Sequence, residues 1–158
     1  MPSGAQVIPP FESFYVAHRD EVLRYLTRLL GQRAEDAFQE TFLRALRAYD
    51  RLRADSQLRA WVFKIATNVA MDELRARPVV QLDSEPIVEL HIDAFRDLEH
   101  LTDELPPTER AAVVLRYGYD LAYAQIADAL GSSEEAARAA ASSGVRRLRR
   151  THGSHARA

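Results

Sequence analysis

The sequence predicts an all-α protein of two small helical domains joined by a short acidic linker. Apolar residues recur at steps of three and four in successive segments, the period of helices packed on one face. Lys and Arg outnumber Asp and Glu by 12 to 10 in residues 1–77 and by 8 to 5 in residues 106–158, but are outnumbered 1 to 8 in residues 78–105. Two mildly basic blocks around an acidic stretch fit two nucleic-acid-facing modules and a connector.

Composition narrows the functional class. Hydrophobic residues make up 47% and charged residues 28% of the 158 residues, the balance of a soluble globular protein. The chain has no cysteine, and its five histidines lack a metal-ligand spacing, so neither a metal site nor a cofactor nor covalent cysteine catalysis is predicted. We find neither an apolar run of about 18 residues nor a signal-peptide pattern, and therefore expect a cytoplasmic protein without a membrane span.

The first elements follow from periodicity. The proline-containing residues 1–10 are predicted to be a tail, and residues 11–30 one helix, with a break allowed near His18 and a stop at Gly31. The next helix has a predicted core stripe of Phe38, Phe42, Ala45, Leu46, Tyr49 and Leu52, and another face with Asp36, Glu40, Leu43 and Arg47. A di-metal site there would need an inward Glu with His three residues on, and that pair is absent.

A third helix is predicted before Pro78, with Asp55 or Ser56 as its N-cap. Its apolar stripe comprises Leu58, Val62, Ile65 and Val69, with Ala66, Ala70 and Leu74 beside it, and its polar side comprises Lys64, Asn68, Asp72 and Arg75. Helical spacing favours core packing for Phe38, Phe42 and Tyr49 over a base-stacking platform. For Trp61 both interpretations, core packing and base stacking, remain open.

The second half predicts a helix-turn-helix after a linker at residues 78–92 and a helix over residues 93–105. Ile126, Ala127 and Leu130 should pack inward before a turn at Gly131, and Ser133 should cap a second helix that ends in arginines. The alternative from the local pattern is a plain helical hairpin with a solvated basic end.

Two strings resemble a known family. EDAFQETFLRAL and RAWVFKIATNVAMDELRAR resemble region 2 of the extracytoplasmic-function (ECF) sigma factors of bacteria, and ELPPTERAAVVLRYGYDLAYAQIADALGSSEEAARA resembles their region 4. The resemblance covers roughly residues 11–150. It implies a region 2-like domain at residues 11–77, the linker at 78–92, a region 4-like domain at 93–150 and a tail at 151–158.

The resemblance also implies partners and sites for a non-enzymatic protein. The partners would be core RNA polymerase, through its β′ clamp helices and β flap, promoter DNA and an anti-sigma factor. Polymerase-binding positions would be Asp36, Gln39, Glu40 and Leu43. Positions facing the −10 element would be Arg53, Arg59, Trp61, Lys64, Asn68 and Arg75. Positions at the −35 element would be Ser133, Glu134, Glu135, Arg138, Arg146, Arg147, Arg149 and Arg150.

The chain departs from the family pattern in its second half. Ala122 stands where the family has a small polar cap, and Ala140 where it commonly has a second Arg. Gly144 is expected to weaken its helix by about 1 kcal/mol relative to Ala. We therefore expect a sigma factor with shallow −35 reading. The alternatives are a stand-alone helix-turn-helix regulator and a degenerate sigma-like module that titrates a regulator.

Overall fold

Three helices form the N-terminal part of the computed structural model, which describes residues 7–53, 56–77 and 104–153. They are α1 at Phe11–Leu30, α2 at Ala34–Tyr49 and α3 at Leu58–Ala76, with a 3-10 turn at Gly31–Arg33. No strand occurs within the described ranges, and the all-α prediction is confirmed. Over those ranges, too, no helix is long and apolar enough to cross a membrane.

Helix α1 runs without a break past His18. Its buried face carries Phe14, Val22, Leu26 and Leu29 at helical spacing. The imidazole of His18 lies against the Phe14 ring, with 5.1 Å between ring centroids, so that position continues the packed surface. Gly31 ends the helix as predicted, with φ at 60° and its N–H donating to the Thr27 carbonyl. A side chain would be strained at that positive φ.

Helix α2 has the predicted core stripe with one error. Phe42, Ala45 and Tyr49 are buried, which confirms core packing for the aromatic stripe, but the side chain of Leu46 is exposed. Leu46 lies roughly 80° around the helix from Phe38, past the edge of the buried face, because each residue turns an α-helix by about 100°. The predicted stripe was therefore one position too wide.

Helix α3 begins after Gln57, which makes no side-chain cap, so the predicted cap at Ser56 was wrong, while Asp55 lies outside the described residues. Val62 and Val69 are buried as predicted. Phe63 is also fully buried although it lies off that stripe. The reason is tertiary: α3 packs against α1 and α2 on one side and against the C-terminal helices on another.

The C-terminal part begins with α4 at Pro107–Val113, continued by a π-helical segment at Val114–Gly118. It then forms a helix-turn-helix from α5 at Tyr123–Leu130 and α6 at Glu134–Gly153. Gly131 ends α5 in the left-handed region at φ 65°. Ser133 Oγ accepts the N–H of Ala136 at 3.1 Å, which confirms its predicted capping role. The predicted linker at 78–92, most of the helix at 93–105, and most of both tails lie outside the described residues.

Gly144 has a packing role that the sequence did not indicate. A Cβ atom there would lie 2.5 Å from Cγ2 of Val113 and 3.3 Å from Cδ1 of Leu105. Helix α6 can therefore lie close to α4 only because this position has no side chain. The glycine that lowers local helix propensity permits the contact that holds the C-terminal module together.

The two modules share one hydrophobic core. Tyr119 of the C-terminal module is buried, with its ring 4.8 Å from the Phe63 ring and 6.1 Å from the Tyr25 ring. Its hydroxyl donates to the Glu21 carbonyl at 3.4 Å. Aromatic packing and a hydrogen bond to a main-chain oxygen thus join α1 and α3 directly to the second module.

Candidate nucleic-acid interface

The first predicted surface lies on α2 and is open to solvent. Asp36 and Gln39 are exposed, and Leu43 is 47% exposed beside the equally exposed Leu46. Glu40 is half-buried and forms an ion pair with Arg44 at 2.9 Å. These residues form one exposed face of α2 that is both acidic and apolar. Leu46 also belongs to this face, although the sequence analysis had assigned it to the core.

Of the predicted −10 residues near the start of α3, Arg59 is held by other parts of the chain. Arg59 donates to both carboxylate oxygens of Glu21, at 3.1 and 3.3 Å, and to the main-chain oxygen of Tyr119 at 2.8 Å. It therefore connects α1, α3 and the second module. The predicted neighbour Arg53 is exposed.

Lys64 is also held by the second module. Its Nζ lies 3.0 Å from Oδ1 of Asp128 on α5. Close by, the amide of Gln125 donates to the side-chain oxygen of Gln57. Gln125 also accepts the N–H of Ala122 at 3.0 Å, which caps α5 despite the alanine at the cap position. Helix α5 thus covers part of the polar side of α3.

The remaining −10 positions divide between exposure and packing. Asn68 and Arg75 are exposed, and Arg75 pairs with Asp72 at 3.1 Å. Trp61 is half-buried, with its ring 5.7 Å from the Phe14 ring and 6.3 Å from the Tyr49 ring. In this conformation Trp61 belongs to the aromatic packing of the first module.

The pKa of His18 on α1 is shifted by its surroundings. Burial lowers the pKa of His18 from its usual value, the nearby Glu21 carboxylate opposes that shift, and Arg59 adds to it. Nothing in this environment suggests a metal ligand. Within residues 7–53, 56–77 and 104–153 no three His, Cys, Asp or Glu side chains are grouped as a metal site.

The second helix of the helix-turn-helix presents Arg138 at its outer surface. The guanidinium lies 4.9 Å from the centre of the Tyr123 ring and 3.4 Å from a carboxylate oxygen of Glu134. Glu134 and Glu135 are exposed in the first turn of α6, next to the capping Ser133. Tyr123, which the sequence argument did not single out, is therefore part of this surface.

The four arginines near the end of α6 differ in their surroundings. Arg147 pairs with Glu109 at 2.9 Å, and the Glu109 side chain is only 15% exposed. Glu109 also accepts the hydroxyl hydrogen of Ser143 at 2.9 Å. Arg147 thus takes part in the α4–α6 contact although its side chain is 53% exposed. Arg146, Arg149 and Arg150 are exposed as well. The sequence pattern could not separate these cases, because the partner lies 38 residues earlier.

Comparison with known proteins matches two stretches of the chain to family models. Residues 14–78 match the model of Sigma-70 region 2, and residues 103–150 match that of Sigma-70, region 4. The sigma factor CarQ of Myxococcus xanthus is 31% identical, over 92% of this chain and 90% of its own length. The ECF sigma factor SigE of Mycolicibacterium smegmatis is also 31% identical, but the chain spans only about half of it, 54%.

A solved structure shares the fold. The sigma factor RpoE, in complex with the anti-sigma factor NepR from Bartonella quintana, superposes with a TM-score of 0.74 at 21% identity. The match covers 89% of this chain and 94% of RpoE.

The fold and the surfaces described above define a two-module helical protein with a helix-turn-helix in its second module. The chain belongs to the family of ECF RNA polymerase sigma factors. Proteins of this family regulate transcription and are not enzymes.

Proposed function

We propose that this protein is a sigma factor that binds core RNA polymerase and directs promoter recognition and transcription initiation. One observation carries the proposal: an uncovered acidic and apolar face on α2 occurs in the same chain as a capped helix-turn-helix. A stand-alone DNA-binding regulator has no need of the α2 face. The protein would act by binding alone, without covalent chemistry, and in the cytoplasm, where the polymerase is.

Polymerase binding is assigned to α2. Asp36, Gln39 and Glu40 supply polar groups for the β′ clamp helices, and Leu43 supplies apolar area at the same face. Exposed leucines beside charged residues are typical of a surface that another protein covers. We assign the contact with the β flap to the second module.

Recognition of the −10 element is assigned to Arg53, Arg59, Trp61, Lys64, Asn68 and Arg75. Opened DNA strands are bound by phosphate neutralisation and by base contacts on polar and aromatic side chains. Arg59 and Lys64 can reach DNA only after they leave Tyr119 and Asp128 of the second module. The proposal therefore requires the two modules, residues 11–77 and 93–150, to separate when the holoenzyme engages a promoter.

Recognition of the −35 element is assigned to α6. The turn containing Ser133, Glu134 and Glu135 would enter the major groove, with Arg138 as the base-contacting side chain. Arg146, Arg149 and Arg150 would hold phosphates, together with Arg147 if it leaves Glu109. Family membership also supports an anti-sigma factor as a partner.

Reconstitution tests the proposal. The chain is combined with bacterial core polymerase, and run-off transcription is measured from the promoter upstream of its own gene. We expect specific transcripts that require both components and that are lost with Asp36→Arg. A chain that binds the same duplex but never programs the polymerase would instead be a stand-alone regulator, and a chain that does neither would be a degenerate interaction module.

A further inference from the structure

The side chain of Arg138 is held in a defined position before any DNA is present. Its guanidinium lies over the ring of Tyr123, with 4.9 Å from Cζ to the ring centre. The other contact is an ion pair with Glu134 at 3.4 Å, in which both side chains are more than half exposed. Exposed pairs one helical turn apart stabilise a conformation very little, because water screens them. Tyr123 is half-buried, so the aromatic contact is less screened by water than the ion pair and is the stronger restraint on Arg138.

The ring that holds Arg138 is itself fixed. Tyr123 packs partly against the hydrophobic core at the start of α5. The guanidinium of Arg116 lies over the same ring at 4.5 Å, and its Nη1 donates to the Leu121 main-chain oxygen at 3.1 Å. The guanidinium groups of Arg116 and Arg138 thus share the ring of Tyr123.

These contacts restrain Arg138, the side chain on which recognition of DNA bases by α6 depends. Arg138 is the only long basic side chain between Ser133 and Gly144, so no second arginine can share its task. A free arginine side chain loses much rotamer freedom when it forms a bidentate contact, and a restraint that exists beforehand reduces that loss.

We propose that Tyr123 is a positioning residue for Arg138, and that it increases both the affinity and the selectivity of duplex DNA binding through the cation–π contact. This inference rests on the proposed function of α6 in DNA binding. Tyr123 acts through Arg138 and need not touch a base itself.

A double-mutant cycle on the full chain tests the proposal. Binding of a fluorescein-labelled duplex of the region upstream of the gene, and of a scrambled duplex, is measured by anisotropy at low salt. Tyr123→Leu removes the aromatic face and keeps apolar volume, so we expect binding about twofold to fivefold weaker. Tyr123→Phe keeps the ring and should restore most of the affinity. Tyr117→Leu, at an exposed tyrosine of the same module, is the matched control and should change nothing.

The decisive measurement is made in the Arg138→Ala background. If Tyr123 acts through Arg138, Tyr123→Leu has no further effect there. An equal loss in both backgrounds, or a Tyr123→Phe variant as weak as Tyr123→Leu, would overturn the proposal. A DNA-free readout separates the inference from the proposed function: the Hε resonance of Arg138 should lose its ring-current shift in Tyr123→Leu and keep it in Tyr123→Phe. If Tyr123→Leu and Arg138→Ala are coupled in DNA binding but the chain supports no polymerase-dependent transcription, the sigma function is refuted and the inference about Tyr123 stands.

Discussion

At the scale of single residues, packing at Gly144 should reverse the usual effect of a Gly→Ala substitution on helix stability. In an exposed helix, Gly→Ala stabilises by roughly 1 kcal/mol. Here the added Cβ would lie 2.5 Å from the buried Val113 side chain. We therefore expect Gly144→Ala to lower the free energy of unfolding by about 1 to 3 kcal/mol, measured by urea denaturation. Ser142→Ala, at an exposed site of the same helix, is the control and should be neutral or slightly stabilising. A more stable Gly144→Ala variant would refute the close α4–α6 contact.

Tyr25 makes the other residue-scale prediction, which concerns pH. Its hydroxyl lies 2.7 Å from Thr67 Oγ1, and the single hydroxyl hydrogen of Thr67 is donated to the Phe63 carbonyl. Tyr25 is therefore the donor. Complete burial raises the pKa of Tyr25 well above its usual value, and the neighbouring Tyr119 hydroxyl adds to that shift.

The sign of the pH effect follows from that shift. Below about pH 10 tyrosine is protonated in both the folded and the unfolded chain. Above it the unfolded chain alone releases the proton, so this group removes about 1.4 kcal/mol of stability per pH unit until the folded pKa is reached. Tyr25→Phe should cost about 1 kcal/mol at neutral pH and flatten the alkaline decline. Parallel stability curves for wild type and Tyr25→Phe above pH 10 would contradict the assignment.

At the scale of elements, the proposed function assigns separate roles to α2 and α6. For α2, charge reversal at Asp36 together with Leu43→Ser should abolish co-elution with core polymerase, because the acidic and apolar parts of one face are lost together. Both side chains are exposed, so the helical circular dichroism signal should be unchanged. Asp50→Arg, at the exposed end of the same helix, is the matched control and should assemble normally. Normal assembly of the double variant would show that polymerase binds elsewhere.

For α6, the arginines should divide into two groups. Arg149 and Arg150 are exposed, so replacing both with Gln should weaken binding to all duplexes alike and reduce the slope of log K against log salt by about 2. Arg147 is paired with the mostly buried Glu109, so Arg147→Gln should mainly lower stability. A salt-series titration and a thermal melt measure the two effects. Identical behaviour of Arg147 and Arg149 single variants would show that the Glu109 pair does not persist in solution.

At the scale of the whole molecule, the modules are joined by the shared core and by polar contacts of Arg59, Lys64, Gln57 and Tyr119. Asp128 on α5 holds Lys64 at 3.0 Å. Both side chains are well exposed, so the pair is worth at most about 1 kcal/mol. We expect Asp128→Asn to increase affinity for forked −10 DNA by up to about fivefold at low salt, and less at high salt. Asp120→Asn removes the same charge from an exposed position of the same module and serves as the control. Equal gains in both variants would show that net charge, and not release of Lys64, is responsible.

The sequence by itself determined the order of the helices in the described residues, and the family. Helical periodicity, the stop at Gly31, the turn at Gly131 and the cap at Ser133 are local signals, and residues close in the chain supply their physics. The acidic residues and Leu43 on the open face of α2 could be predicted for the same reason.

Only the tertiary structure decided which of those residues are free. Arg59 bonds to a carbonyl 60 residues away, Lys64 pairs with Asp128, 64 residues away, and Arg147 pairs with Glu109. Sequence periodicity reports which residues share a face of one helix, and it contains no information about polar partners on another helix. The close contact at Gly144 was missed for a related reason, since it depends on how near α4 lies to α6. Leu46 was a local error, because it lies past the edge of the buried face of α2. Local chemistry therefore determined the elements, and long-range packing determined which surfaces they leave available.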